Sequence, residues 1–243
     1  MEKQTGVQEA SDLPEKSKKK KEKNNMETTK EELRKEIVYY FKKQYDLGML
    51  NTFEGNLSAR TSKNTILITP TREDKEKITP DMILEVDMEG HLLYDTSLKP
   101  STELGMHLEI YKLRPDLQSV LHNHSAYATA FALVGRPLAN DMAESFMFYG
   151  GDIPVCPYGR PGTAEVYRDF KRYFVDRDKD VLLLANHGLV TSGKSVSDAF
   201  DKAEAVEKLA KITILSETLG PDNPLSAVEK AKLIEIYNNR RNN

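Results

Sequence analysis

Five histidines are spread along the chain, and two of them, His122 and His124, stand one residue apart in Leu121-His122-Asn123-His124-Ser125. Residues i and i+2 of a strand project from the same face, so both imidazoles can converge on one ion at the end of an expected strand over Ser119–His122. A catalytic zinc site uses three protein ligands and leaves one position open. His187, in Leu184-Ala185-Asn186-His187-Gly188, stands where an apolar run gives way to glycine and is the candidate for the third ligand. By spacing alone a His-x-His pair is as often an ordinary surface or core feature, and His187 reads equally as an N–H donor to the backbone.

Two carboxylates invite acid–base chemistry. Glu103 follows Lys99-Pro100-Ser101-Thr102 at an expected helix start. It reads either as a first-turn acid favoured by the helix dipole or as a general acid/base held near the ion. Glu144 lies in Asp141-Met142-Ala143-Glu144, where no periodicity is evident, and reads singly as a surface acid. Three small polar segments suit an anion. Gly55-Asn56 offers a tight turn with free backbone N–H groups. Ser101-Thr102 adds hydroxyls at a helix N-terminus, and Thr71-Arg72 adds a hydroxyl and a guanidinium. Singly these are a hairpin turn, a helix cap and a loop.

The elements that must position these residues can be read from pattern. Thr28-Thr29-Lys30-Glu31 has the form of a capping box, and Leu33, Ile37, Tyr40, Phe41 and Gln44 follow at helical spacing up to Gly48. Two hairpins are expected, Leu57–Thr61 with Thr65–Thr69 and Ile83–Asp87 with His91–Tyr94. Helices are expected over Thr102–Arg114, Ala126–Val134, Ser195–Leu219 and Leu225–Tyr237, with a strand over Val181–Ala185. Hairpins mixed with helices give one layered α/β domain with a partly antiparallel sheet. Residues 1–27, which hold no aromatic residue, read as a disordered tail, leaving 28–243 as the folded domain. The run Lys18–Lys21 reads as a solvated patch or a basic address.

Composition narrows the classes. A chain of 243 residues with net charge −3 lacks the basic surplus of a dedicated nucleic-acid binder. No apolar run reaches the ~18 residues of a membrane helix. The lone Cys156 excludes an internal disulfide and a Cys-x-x-Cys site and fits a reducing, cytoplasmic setting.

In combination, Gly55-Asn56-Leu57-Ser58, Ile68-Thr69-Pro70-Thr71, Lys99–Glu103, Arg114-Pro115-Asp116, His122-Asn123-His124, Pro154–Tyr158 and Asn186-His187-Gly188-Leu189 resemble, in order, the motifs of the class II aldolase/adducin family. The resemblance spans about Glu31 to Leu219 and is nearest the fuculose-phosphate aldolase branch. It implies a single three-layer α/β/α domain with a largely antiparallel sheet, assembled as a homotetramer with sites at subunit interfaces. It also implies zinc on His122, His124 and His187, with Glu103 as acid/base. Gly55, Asn56, Thr71, Arg72, Ser101 and Thr102 would hold a substrate phosphate. The implied reaction is reversible cleavage of a ketose 1-phosphate, such as fuculose 1-phosphate or a 5-deoxypentulose phosphate, to dihydroxyacetone phosphate and an aldehyde. Arg72 stands where these relatives carry glycine. Glu144 falls where they carry a tyrosine and where the methylthioribulose-phosphate dehydratase branch carries a catalytic glutamate. Dehydratase, pentulose-phosphate 4-epimerase and sugar-acid phosphate decarboxylase are therefore the alternatives within the family, and a non-enzymatic adducin-like module is the alternative outside it. The adducin branch lacks the three ligands that this chain keeps.

Overall fold

The computed structural model describes residues 15–221 and 223–242. Residues 1–14 of the expected tail lie outside the described residues, as do the side chains of Lys18–Lys21. The first helix, α1 (Glu15–Asp46), begins before the expected start, so the Thr28–Glu31 capping box lies inside it. The segment ahead of Thr28 is rich in Lys and Glu, both good helix formers, and contains no Gly or Pro after Pro14 to stop the helix.

Strands β1 (Asn56–Arg60), β2 (Thr65–Ile68), β3 (Leu84–Asp87), β4 (Ser119–Asn123), β5 (Val155–Cys156), β6 (Val181–Leu184) and β7 (Gly188–Gly193) form one seven-stranded sheet in the order β3-β2-β1-β4-β7-β6-β5. Every pairing is antiparallel except β5 with β6. The first expected hairpin forms as β1–β2. The second reduces to β3 and a single bridge, Val86 with Leu92. Its outer arm, His91–Tyr94, lies largely exposed at the sheet edge, with only Leu92 packing inward, so little burial holds a full strand there.

Alternation along the strands feeds two cores. Leu57, Ala59, Leu67, Leu121 and Leu183 face one side, packed with residues of α1, α3 (Ala126–Leu133) and α5 (Val196–Leu219). Ile66, Ile68, Val120, Leu182 and Leu184 face the other, against α2 (Leu104–Leu113) and the segment around Phe170 and Phe174. The result is the expected α/β/α layering. His122 and His124 continue the face of Val120, the side on which α2 lies. Ser195 caps α5 by accepting the Asp198 N–H at 3.0 Å. Arg114, from the Arg-Pro-Asp motif, has a structural task. It donates to Asp116 at 2.6 and 2.7 Å and to the buried Asp180 at 3.2 Å, fastening the end of α2 to the start of β6. Two further helices, α4 (Ala143–Tyr149) and α6 (Ala227–Asn242), complete the described chain. Among the described residues no helix is long and apolar enough to cross a membrane.

Candidate active site and metal centre

Strand register assembles the site. Asn56 at the head of β1 pairs with His122 on β4, and His122 pairs in turn with Val190 on β7. The β6–β7 turn holds His187 between Asn186, in the left-handed region at φ 56°, and Gly188. A Cβ at Gly188 would lie 2.5 Å from Asn123 O and 2.8 Å from His124 Cδ2, so only glycine lets the turn close onto β4. Gly55 is similarly constrained, at φ 73° and with His122 O 2.9 Å from any added Cβ.

Together these turns bring the three imidazoles into mutual contact, with ligand atoms of His122, His124 and His187 within 4.8 Å of one another. His122 Nδ1 donates to Leu189 O at 2.9 Å, so in the neutral imidazole its Nε2 carries a lone pair. That nitrogen lies 3.0 Å from His124 Nε2 and 3.0 Å from Glu103 Oε2. Nitrogen lone pairs and a carboxylate oxygen crowded this closely call for a cation, and the donor set fits a divalent metal. Burial, then the neighbouring His122, pushes the His187 imidazole down to about 4 and lowers His124 as well, which keeps both in the neutral, ligating form.

Glu103 occupies the N-cap position of α2 and is buried. Burial by itself would raise its carboxyl, but the adjoining His122 and His187 outweigh that and hold it well below the usual carboxylate range. Its Oε2 faces His122 and Asn56 Nδ2, the latter at 3.5 Å, while Oε1 is buried with no hydrogen-bond partner among the described residues. The anion segments converge beside it. A bridge between Pro70 and Pro100 sets Thr71 N–H on Lys99 O at 2.9 Å and Ser101 N–H on Thr69 O at 3.2 Å, so two loops distant in sequence run side by side.

All six residues expected to bind phosphate (Gly55, Asn56, Thr71, Arg72, Ser101 and Thr102) line one cavity of about 480 Å³ with Glu103 and the three histidines. Arg72 takes φ 58°, the left-handed region, which accounts physically for glycine being the easier residue there. Glu144 is not brought in. It is exposed in the first turn of α4 and does not line the cavity.

Two residues with no assigned role also reach the site. Glu54 Oε2 lies 3.4 Å from His124 Nδ1. Lys75 lines the cavity yet is buried, its ammonium 4.7 Å from the Phe41 ring centre and 3.3 Å from Glu73 O, with no carboxylate partner among the described residues. Burial pushes its amine down to about 8. In sequence Lys75 sits in Glu73-Asp74-Lys75-Glu76-Lys77, a charge run in which no local signal marks a buried amine. It is buried because the loop folds over Phe41, itself in the core.

Residues 35–214 match the family described as Class II Aldolase and Adducin N-terminal domain. The 3-oxo-tetronate 4-phosphate decarboxylase of Haemophilus influenzae is 34% identical over 172 residues, covering 69% of this chain and 80% of that protein. The L-fuculose phosphate aldolase of Methanococcus vannielii is 35% identical over 160 residues, covering 65% and 82%. Among solved structures, an L-fuculose 1-phosphate aldolase superposes with a TM-score of 0.77 at 29% identity, covering 85% of this chain and 96% of that one.

Proposed function

The chain belongs to the class II aldolase and adducin family, and from that membership we propose that it is a zinc-dependent aldolase. It would cleave a ketose 1-phosphate reversibly to dihydroxyacetone phosphate and an aldehyde. The observation that carries this reading is Glu103, a buried carboxylate set between the three-imidazole cluster and a cavity lined by anion donors. A divalent ion on His122, His124 and His187 would supply Lewis-acid polarisation of the substrate carbonyl. The protein's own groups do the rest. Asn56, Thr71, Ser101 and Thr102, with Arg72, grip the phosphate and fix the position of the carbon to be deprotonated. Glu103, kept ionised, takes the proton from that carbon in the synthetic direction and returns it after cleavage. Oε1, which lies 3.4 Å from His187 Nε2 and accepts no hydrogen bond among the described residues, is the oxygen placed to receive it. We assign the enzyme to the cytoplasm and to a homotetramer. Because Glu144 is exposed and lies off this cavity, any part it takes in protonating the departing aldehyde would be played at a neighbouring subunit's site.

A second reading, loss of carbon dioxide from a phosphorylated oxo acid, is favoured by the similarity to the Haemophilus influenzae decarboxylase. Supplying dihydroxyacetone phosphate with a panel of aldehydes, with and without chelator, separates the readings. The aldolase gives a product whose mass is the sum of the two, and only with metal present. No condensation with any aldehyde, together with carbon dioxide released from an oxo-tetronate phosphate, replaces it with the decarboxylase. A ketose phosphate converted to a species lighter by one water would instead mark a dehydratase.

A further inference from the structure

We propose that His107 is a positioning residue: through one directed chain of hydrogen bonds it fixes the amide of Asn56 so that only N–H groups face Glu103 and the anion end of the cavity. His107 lies one turn beyond Glu103 on α2, is fully buried, and is separate from the three-imidazole cluster. Strand and helix spacing interlock around it. Asn56 and Ser58 project from the same face of β1, two residues apart, and His107 and Tyr111 from the same face of α2, four apart. Tyr111 Oη lies 2.9 Å from Ser58 Oγ, Ser58 Oγ 2.6 Å from His107 Nδ1, and Asn56 Nδ2 3.5 Å from Glu103 Oε2. His107 Nε2 closes the chain on Asn56 Oδ1.

The sense of every bond follows from its ends. An ionised carboxylate only accepts, so Asn56 must turn its NH2 toward Glu103 and its carbonyl toward His107. His107 Nε2 must then donate. Burial pushes this imidazole down to about 3, so it is neutral, has one N–H, and must accept at Nδ1 from the Ser58 hydroxyl. At the far end the Tyr111 hydroxyl, held beside the Val120 backbone, has Ser58 Oγ as its acceptor, which is the same sense. Hydrogen bonds aligned this way polarise one another. Reversing the amide would set a carbonyl oxygen against the Glu103 carboxylate and against an incoming phosphate. The relay stands on its own geometry, whereas its consequence for anion binding rests on the reading that Asn56 holds the substrate phosphate.

Two measurements on the full, metal-loaded chain test this. The first is the ¹⁵N spectrum of His107, which should show a neutral ring protonated at Nε2. Protonation at Nδ1, or an imidazolium at neutral pH, overturns the proposal. The second is calorimetric binding of inorganic phosphate to the wild type, His107→Gln, His107→Leu, Asn56→Ala and the Asn56→Ala/His107→Leu pair. His107→Leu should weaken binding roughly tenfold or more, and His107→Gln, which can still donate to Asn56 and accept from Ser58, should restore most of it. The double variant should bind no worse than Asn56→Ala alone, a coupling that a merely structural role would not give. Additive losses, or unchanged binding in His107→Leu, overturn the proposal. Should His107→Leu not fold, Ser58→Ala cuts the same chain and carries the same expectation. A wild type that binds no phosphate would instead strike the anion-site reading, with the tautomer still deciding the relay.

Discussion

Lys75 shows what a single residue reveals only once folded. A buried ammonium that makes no ion pair among the described residues, its neighbours Glu73 and Asp74 only partly offsetting the burial, costs stability as long as it is charged. Its folded-state value of about 8 lies below the ordinary lysine value of 10.5, so between those pH values the unfolded chain holds more protons than the folded one. Stability must then rise with pH across that window and be lowest, for this group, below pH 8. Lys75→Met should therefore melt higher than wild type at pH 7, by up to about 3 kcal/mol, with the gap closing as pH climbs toward 10.5. Parallel thermal melts across that range check it; a gap that does not depend on pH would show that Lys75 is not a charged burden. That His122, His124 and His187 stand together was legible in the sequence as a candidate cluster, because strand alternation and a strand-ending glycine are local signals. Lys75 and His107 were not. Lys75 is hidden by charged neighbours, and His107 acquires its meaning only when α2 lies beside β1.

At the scale of elements, the loop after β2 has the most to say. Arg72 holds a backbone conformation that costs a side-chain-bearing residue roughly 1 kcal/mol or more relative to glycine, while lining the cavity with its guanidinium-bearing chain. Arg72→Gly should thus raise the melting temperature and, if the guanidinium makes a charge-assisted contact to phosphate, weaken its binding by roughly 1.5–3 kcal/mol. Melting curves and phosphate titration of the same variant read both effects. A variant both more stable and equally tight would remove Arg72 from the anion site. Elements with strong periodicity, such as α2, α3, α5, β4 and β6, stand close to where the sequence pattern puts them. Those set by tertiary pairing do not: β7 is a Gly-led strand that exists because β4 and β6 flank it, and α4 is too short to show a period.

For the molecule as a whole, layering and site come from one source, the antiparallel register that sets Asn56, His122 and the His187 turn side by side. Among the described residues, 15–27 lie in α1 and outside that register, whereas Lys30 already ties α1 to Glu85 of β3 at 2.8 Å. A chain starting near Met26 should keep its specific activity and melting temperature, and more than a few-fold loss of turnover would give the tail a catalytic or structural role. The most direct measurement of the central claim is hydrogen exchange between dihydroxyacetone phosphate and deuterated water, with no aldehyde present. The metal-loaded wild type should catalyse it, chelation should stop it, and Glu103→Gln should slow it by ~10²–10⁴ while retaining its metal, because three imidazoles hold the ion independently. Wild-type enzyme that binds the phosphate but exchanges no hydrogen, or a Glu103→Gln variant that exchanges as fast as wild type, would contradict the account.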